Sequence, residues 1–254
     1  MTWYQCAAGF AAGLVIAPVG VSGAVFLLPV QLSVLGVPSP SVTPTNLLFN
    51  IVATPGALLR YRGRPHDGLT RELLAGTLPG VVLGTLVRVF AVPGAREFRL
   101  VVSAVLLPLG AWLCWQTLKP HRTPPRGRPS SRTIAVLGLA AGVVGGIYGI
   151  GGGSLLEPVL AGLGLPLAVV APAALASTFV TSVVGALTYA VLAVTTTAGS
   201  APQWLLGLSC GVGGLLGGYL GARLQPRVPE LLLRRLLGAL AVGLALLYVT
   251  QAIR

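Results

Sequence analysis

Gly149-Ile-Gly-Gly-Gly-Ser-Leu-Leu-Glu-Pro158 decides the fold, because the chain carries a second copy of it. Gly20-Val-Ser-Gly-Ala-Val-Phe-Leu-Leu-Pro29 matches at an offset of 129, with the glycines at 20 and 23 and the closing Pro29 in register. Working outward, Gly36-Val-Pro38 faces Gly164-Leu-Pro166, Pro44 faces Pro172 and Tyr61 faces Tyr189, all at an offset of 128. Further on, Gly80-Val-Val-Leu-Gly84 resembles Gly214-Leu-Leu-Gly-Gly218. Between the copies lies a Pro-rich basic stretch, Lys119 to Arg132, that cannot span a membrane. The reading is therefore of two homologous units, residues 1–118 and 133–254, joined by a linker at 119–132.

Both units belong in lipid. Only 9% of the 254 residues are charged and 54% are apolar, against roughly 25% charged in soluble domains. Met1 to Leu59, Leu100 to Leu118 and Pro158 to Ala222 carry no Asp, Glu, Lys or Arg. About 20 apolar residues cross a bilayer, so these stretches hold several spans. Each unit reads as a long apolar stretch broken by the Gly motif (Trp3 to Gly36; Thr133 to Gly164) followed by three helices. The first unit has these at about Thr45–Leu59, Leu69–Val89 and Leu100–Leu118, and the second at about Ala173–Val194, Gln203–Ala222 and Leu236–Ile253. The expected fold is an all-α polytopic membrane protein of about 8–10 spanning or half-spanning helices, with Gly and Pro as breakers.

A net charge of +12 and a pI near 11.0 raise the possibility of nucleic acid. The cations, however, occupy short loops between apolar runs, where orientation signals belong. If each broken stretch crosses twice, 13 Lys and Arg fall on the cytoplasmic side and Arg88, Arg96, Arg99 and Arg254, four in number, fall outside. Parallel units would divide the same 17 cations 10 to 7. Inverted repeats are expected on that count, with the Arg88, Arg96 and Arg99 group outside as a candidate for anions or lipid headgroups. Isolated Cys6, Cys114 and Cys210, and loop residues His66 and His121, suggest neither disulfide nor metal. No cofactor is expected, and no paired nucleophile and base marks an enzyme.

Two inverted units with breaks at matching positions form a transporter's layout, with substrate at the interface between them. An interrupted helix frees backbone N–H groups and a positive dipole end at membrane depth, and such an end attracts an anion. Three consecutive glycines at 151–153 weaken a helix by about 1 kcal/mol each relative to Ala, more than a packing contact requires. The glycines at 213, 214, 217, 218 and 221, by contrast, read as close helix packing.

The Gly149–Pro158 motif, its weaker copy at Gly20, and the Pro-x-x-x-x-x-Ser-Thr-x-x-Thr-Ser run at Pro172 to Ser182 resemble the TauE/SafE family of membrane permeases. The resemblance spans nearly the whole chain. It implies transport of small sulfur-containing anions, such as sulfite, sulfonates or sulfoacetate, across a bacterial cytoplasmic membrane. Ser22 and Ala24 stand where the second copy has Gly151 and Gly153, and Glu157 replaces a usually apolar residue.

Asn46, Asn50 and Thr54 share a helix face at i, i+4, i+8, and Thr178 and Ser182 match Asn50 and Thr54, with Ser177 and Thr181 beside them. Neutral amides can donate to an oxyanion without stranding a buried charge. The candidate substrate site is therefore Gly20, Ser22, Gly23, Asn46, Asn50 and Thr54 from the first unit. The second unit adds Gly151, Gly152, Gly153, Ser154, Thr178, Thr181 and Ser182. Glu157, the only acid within the apolar regions, is the candidate for proton coupling, although its place before Pro158 also suits a helix end near water. A passive channel and a non-transporting membrane component are the competing readings.

Overall fold

The computed structural model of the chain describes residues 2–17, 22–33, 35–61, 67–92, 94–118, 129–163, 165–196, 201–224 and 227–253. Over these it is all-helical: α1 (Thr2–Ile16), α2 (Ala24–Ser33), α3 (Ser39–Arg60), α4 (Asp67–Phe90), α5 (Ala95–Leu118), α6 (Ser131–Tyr148), α7 (Gly153–Gly162), α8 (Leu167–Thr195), α9 (Trp204–Leu224) and α10 (Glu230–Ile253). Five stretches are long and apolar enough to cross a membrane: Ser41–Arg60, Gly68–Phe90, Ser131–Tyr148, Val169–Thr195 and Trp204–Leu224. At 1.5 Å per residue, the ten-residue α2 and α7 reach only about 15 Å, half of a hydrocarbon core. Each Gly-broken stretch is thus one long and one half-length helix.

Helices start earlier than their apolar runs. α3 and α8 begin ahead of Pro44 and Pro172, which lie inside them; membrane helices tolerate such prolines where neighbours re-satisfy the freed backbone groups. α5 and α10 begin with turns containing Arg96, Glu97 and Arg99 or Arg234 and Arg235, so charge at a helix end hides a turn from a hydropathy reading.

Glycine sets how closely the helices approach. α1 and α9 run parallel, backbone against backbone. A Cβ on Gly9 would strike the Cys210 carbonyl, one on Gly13 would lie 2.7 Å from the Gly214 carbonyl oxygen, and one on Gly217 would strike the Phe10 carbonyl. α4 and α6 also run parallel, with Gly76 against Ala135, Gly80 against Leu139 and Gly84 against Val143. Of the glycines read as packing residues, 213, 214 and 217 meet neighbours this closely, while Gly218 keeps 3.6 Å of room.

The remaining contacts have matching partners across the chain. α3 lies along α9, with Gly207 at Leu48 and Gly211 at Val52, as α8 lies along α4, where Thr77 Oγ1 and Ser177 Oγ are 3.1 Å apart. α2 rests on α3 as α7 rests on α8. Two pairs run in opposite directions. α3 crosses α8, with Leu47 at Gly185 and Ala57 and Tyr61 clustered with Leu175 and Ala171. α5 faces α10, with Ser103 Oγ donating to the Ala245 carbonyl at 3.3 Å and Gly238 at Cys114.

Candidate functional site

The two breaks meet. α6 ends at Gly149, whose φ of 78° is left-handed and whose N–H donates to the Gly145 carbonyl at 2.8 Å, a glycine C-cap. Gly151 turns the chain again at φ 73°, and Gly153 opens α7 so close to α8 that a Cβ would strike the Ala174 carbonyl. In the first copy Ser22 caps α2, its Oγ accepting from Ala24 N–H at 3.1 Å. The Ser22 N–H donates to Ser154 Oγ at 3.3 Å, joining the first break to the second.

Asn50 bridges the same two segments. Its Oδ1 accepts from Ser22 Oγ, and its Nδ2 donates to the Gly149 carbonyl at 3.3 Å. Asn46 Nδ2 donates to the Ala24 carbonyl at 3.0 Å. From α8, Thr181 Oγ1 accepts from Gly152 N–H at 3.2 Å, and Thr178 Oγ1 shares a 3.1 Å hydrogen bond with Ser154 Oγ. Because Leu47 meets Gly185 and Ala57 clusters with Leu175, Asn50 falls level with Ser182 and Thr54 with Thr178. That level is half-way along α3, whose ends are Ser39 and Arg60.

Two buried polar atoms at this crossing lack a partner, Asn46 Oδ1 and Ser182 Oγ. Buried polar atoms are rarely left unpaired, which sets these two apart from the other polar groups of the crossing. A cavity lined by Ser22, Gly23, Phe49, Thr54, Leu175 and Gly218 adjoins the crossing on the Arg60 half of α3, with Ala57 on its wall.

The structure thus brings together Ser22, Gly23, Asn46, Asn50, Thr54, Gly151, Gly152, Gly153, Ser154, Thr178, Thr181 and Ser182; Gly20 lies outside the described residues. Glu157 is not at an interface: it is the fifth residue of α7, 1% exposed, with both carboxylate oxygens unpaired. The half-length α7 carries it into the protein, so the expected helix-end placement near water is corrected. Arg88 is corrected too. It is 1% exposed rather than part of an outer surface group, while Arg96 is exposed and Arg99 half-buried.

Four contributors were missed in the sequence. Thr77 packs against Gly152, whose Cβ would lie 2.8 Å from its methyl. Thr43 Oγ1 donates to the Ile147 carbonyl at 3.1 Å. Tyr148 and Tyr189 bind the Val25 and Gly146 carbonyls through their hydroxyls at 3.1 and 3.0 Å. Thr77 lies between Gly76 and Gly80 and could have been found as the polar member of a small-residue face. The other three fall outside any repeated motif except Tyr189, which pairs with Tyr61.

Among the described residues, ten helices, five of them with stretches of membrane-crossing length and apolarity, and a neutral polar centre between two helix breaks define a multi-pass membrane protein. The chain belongs to the TauE/SafE family: the family model described as Sulfite exporter TauE/SafE matches residues 5–248. That family is one of membrane exporters and permeases rather than enzymes. No curated protein matched the chain, nor did any solved structure.

Proposed function

We propose that this protein is a secondary transporter that moves small anions, namely sulfur oxyanions or organosulfonates such as sulfite or sulfoacetate, across a bacterial cytoplasmic membrane by alternating access. The observation that carries the reading is the meeting of the two breaks, joined through Ser22 and Ser154 and bridged by Asn50 half-way along α3. The donors there are neutral: hydroxyls, amide N–H groups and backbone N–H groups at the start of α2 and α7. Such donors can stabilise an oxyanion and still release it, whereas a cation gripping it in the membrane interior would cost several kcal/mol. Side-chain hydroxyls occupy the backbone donors at Gly152 and Ser22, so an arriving anion exchanges one acceptor for another.

In this reading residues 1–118 and 133–254 are inverted repeats, with 119–132 as a cytoplasmic linker. The opposed α3 and α8, and the opposed α5 and α10, support inversion, since each pair joins corresponding helices of the two units. Arg60, Arg71, Arg132 and Arg223 then face the cytoplasm. The cavity between the crossing and Ala57, on the Arg60 half of α3, lies on the proposed inward path. In a cysteine-free background, Ala201→Cys is expected to react with an impermeant maleimide from outside intact cells and Arg132→Cys only after permeabilisation. The opposite pattern would reverse the topology.

Protons are the proposed coupling ion and Glu157 their carrier, because a fully buried carboxyl without partners is a functional group by default at membrane depth. In proteoliposomes, counterflow of a radiolabelled sulfonate is expected with the wild type, which separates a carrier from a channel. Glu157→Gln should keep counterflow and lose the response to an imposed pH gradient. Absent counterflow would overturn the carrier reading, and unchanged proton drive in the variant would remove Glu157 from it.

A further inference from the structure

Arg88 is the largest fully buried side chain of the described residues, and it carries a charge that the neutral site at the crossing does not use. We propose that it is the positioning charge of the anion site: a fixed cation that draws the anion into the crossing through its field without touching it. This rests on the reading of the crossing as an anion site.

Every partner of the guanidinium is neutral. One Nη donates to the Val92 carbonyl, the other to the carbonyl and hydroxyl of Ser39, the hydroxyl at 2.7 Å. Nε donates to Thr43 Oγ1 at 3.3 Å, and the guanidinium carbon stands 4.5 Å above the Phe98 ring. Among the described residues no carboxylate is bonded to it. A buried cation is ordinarily compensated by an acid. Here every guanidinium nitrogen has a neutral acceptor while the charge has no counter-ion among the described residues.

The charge also points at the break. Thr43, which accepts from Arg88, donates to the Ile147 carbonyl two residues before Gly149, and a Cβ on Gly149 would lie 3.1 Å from the Thr43 Cα. Along α3, the guanidinium's partners Thr43 and Ser39 are seven and eleven residues above Asn50, a rise of about 10 to 16 Å. At that range and an effective dielectric of about 20, a unit charge alters the binding of a monoanion by roughly tenfold and that of a dianion by roughly a hundredfold, since Coulomb energy doubles with the ligand's charge. The distance is short enough to attract and too long to grip.

An arginine that merely ties Ser39 to Val92 would affect both ligands alike. The test measures affinities of the detergent-purified full chain for methanesulfonate and for sulfite at alkaline pH, where sulfite is a dianion. Arg88→Gln is expected to lose roughly tenfold for the first and roughly a hundredfold for the second. Equal losses, or none, in a folded variant would overturn the proposal and leave the site reading intact. Wild-type protein that binds neither anion would overturn both. Should Arg88→Gln not fold, Arg88→Lys decides: it keeps the charge and gives up the two-pronged bonds, so it must retain the wild-type ratio of dianion to monoanion affinity. A lost ratio in that variant would sink the proposal.

Discussion

Gly152→Val is expected to abolish anion binding, a loss of more than about a hundredfold, in a protein that still folds. A Cβ at this position would lie 2.8 Å from Thr77 Cγ2 and 3.1 Å from the Gly142 Cα. Thr77 cannot easily yield, since its hydroxyl is held by the Leu73 carbonyl at 2.8 Å and by Ser177 Oγ at 3.1 Å. The added methyls must therefore push the break away from α4 and α6, toward α8. That movement crowds Gly152 against Thr181, distorting the 3.2 Å bond from its N–H, and misplaces the donors of α7 by an ångström or so, enough to ruin an oriented site. Gly243→Val supplies the control, because a Cβ there meets nothing within 4 Å. Ligand-induced melting shifts would measure both variants, and wild-type affinity in well-folded Gly152→Val protein would end the assignment of the crossing as the site.

Gly217→Val should act on the fold instead. Its Cβ would run into the Phe10 carbonyl and lie 3.0 Å from Leu14 N, both backbone atoms that no rotamer change can move. α1 and α9 must separate along their whole seam, forfeiting the dispersion contacts that hold helices together in lipid. Overpacking of this kind costs about 1–3 kcal/mol or more, which lowers the melting temperature of a chain of this size by roughly 2–12 °C. Once allowance is made for the lost folded fraction, binding should stay near wild type. A variant with unchanged melting temperature would show that the seam is looser than described.

Much of this arrangement was legible in the sequence because duplication writes it twice. The break at Gly149 to Gly153 and the polar faces of α3 and α8 follow from residues that recur at a fixed offset, whereas the sequence left open whether the broken stretch spans fully, which the ten-residue α7 answers. What was not legible depended on three-dimensional neighbours. Arg88 reads as a surface cation because it ends an apolar run, and only the Ser39 carbonyl, Val92 carbonyl and Phe98 ring around it make burial tolerable. Glu157 reads as a helix-end acid because Pro158 follows it, yet a Pro in the first turns of a short membrane helix does not end it. Thr43 and Thr77 are single threonines whose roles come from the glycines packed against them.

The glycine seams also set the order in which the molecule can be assembled. α1 finds its closest partner in α9 and α4 finds its own in α6, so the first unit enters the bilayer with two glycine-lined faces bare. α4 waits only for the next helix but one, whereas α1 waits for nearly the whole remaining chain. Each seam joins one helix of the first unit to one of the second, so the α1 seam can close only once α9 has been made. A nascent chain halted between α6 and α9 would have the α4 face covered and the Gly9 and Gly13 face of α1 still bare.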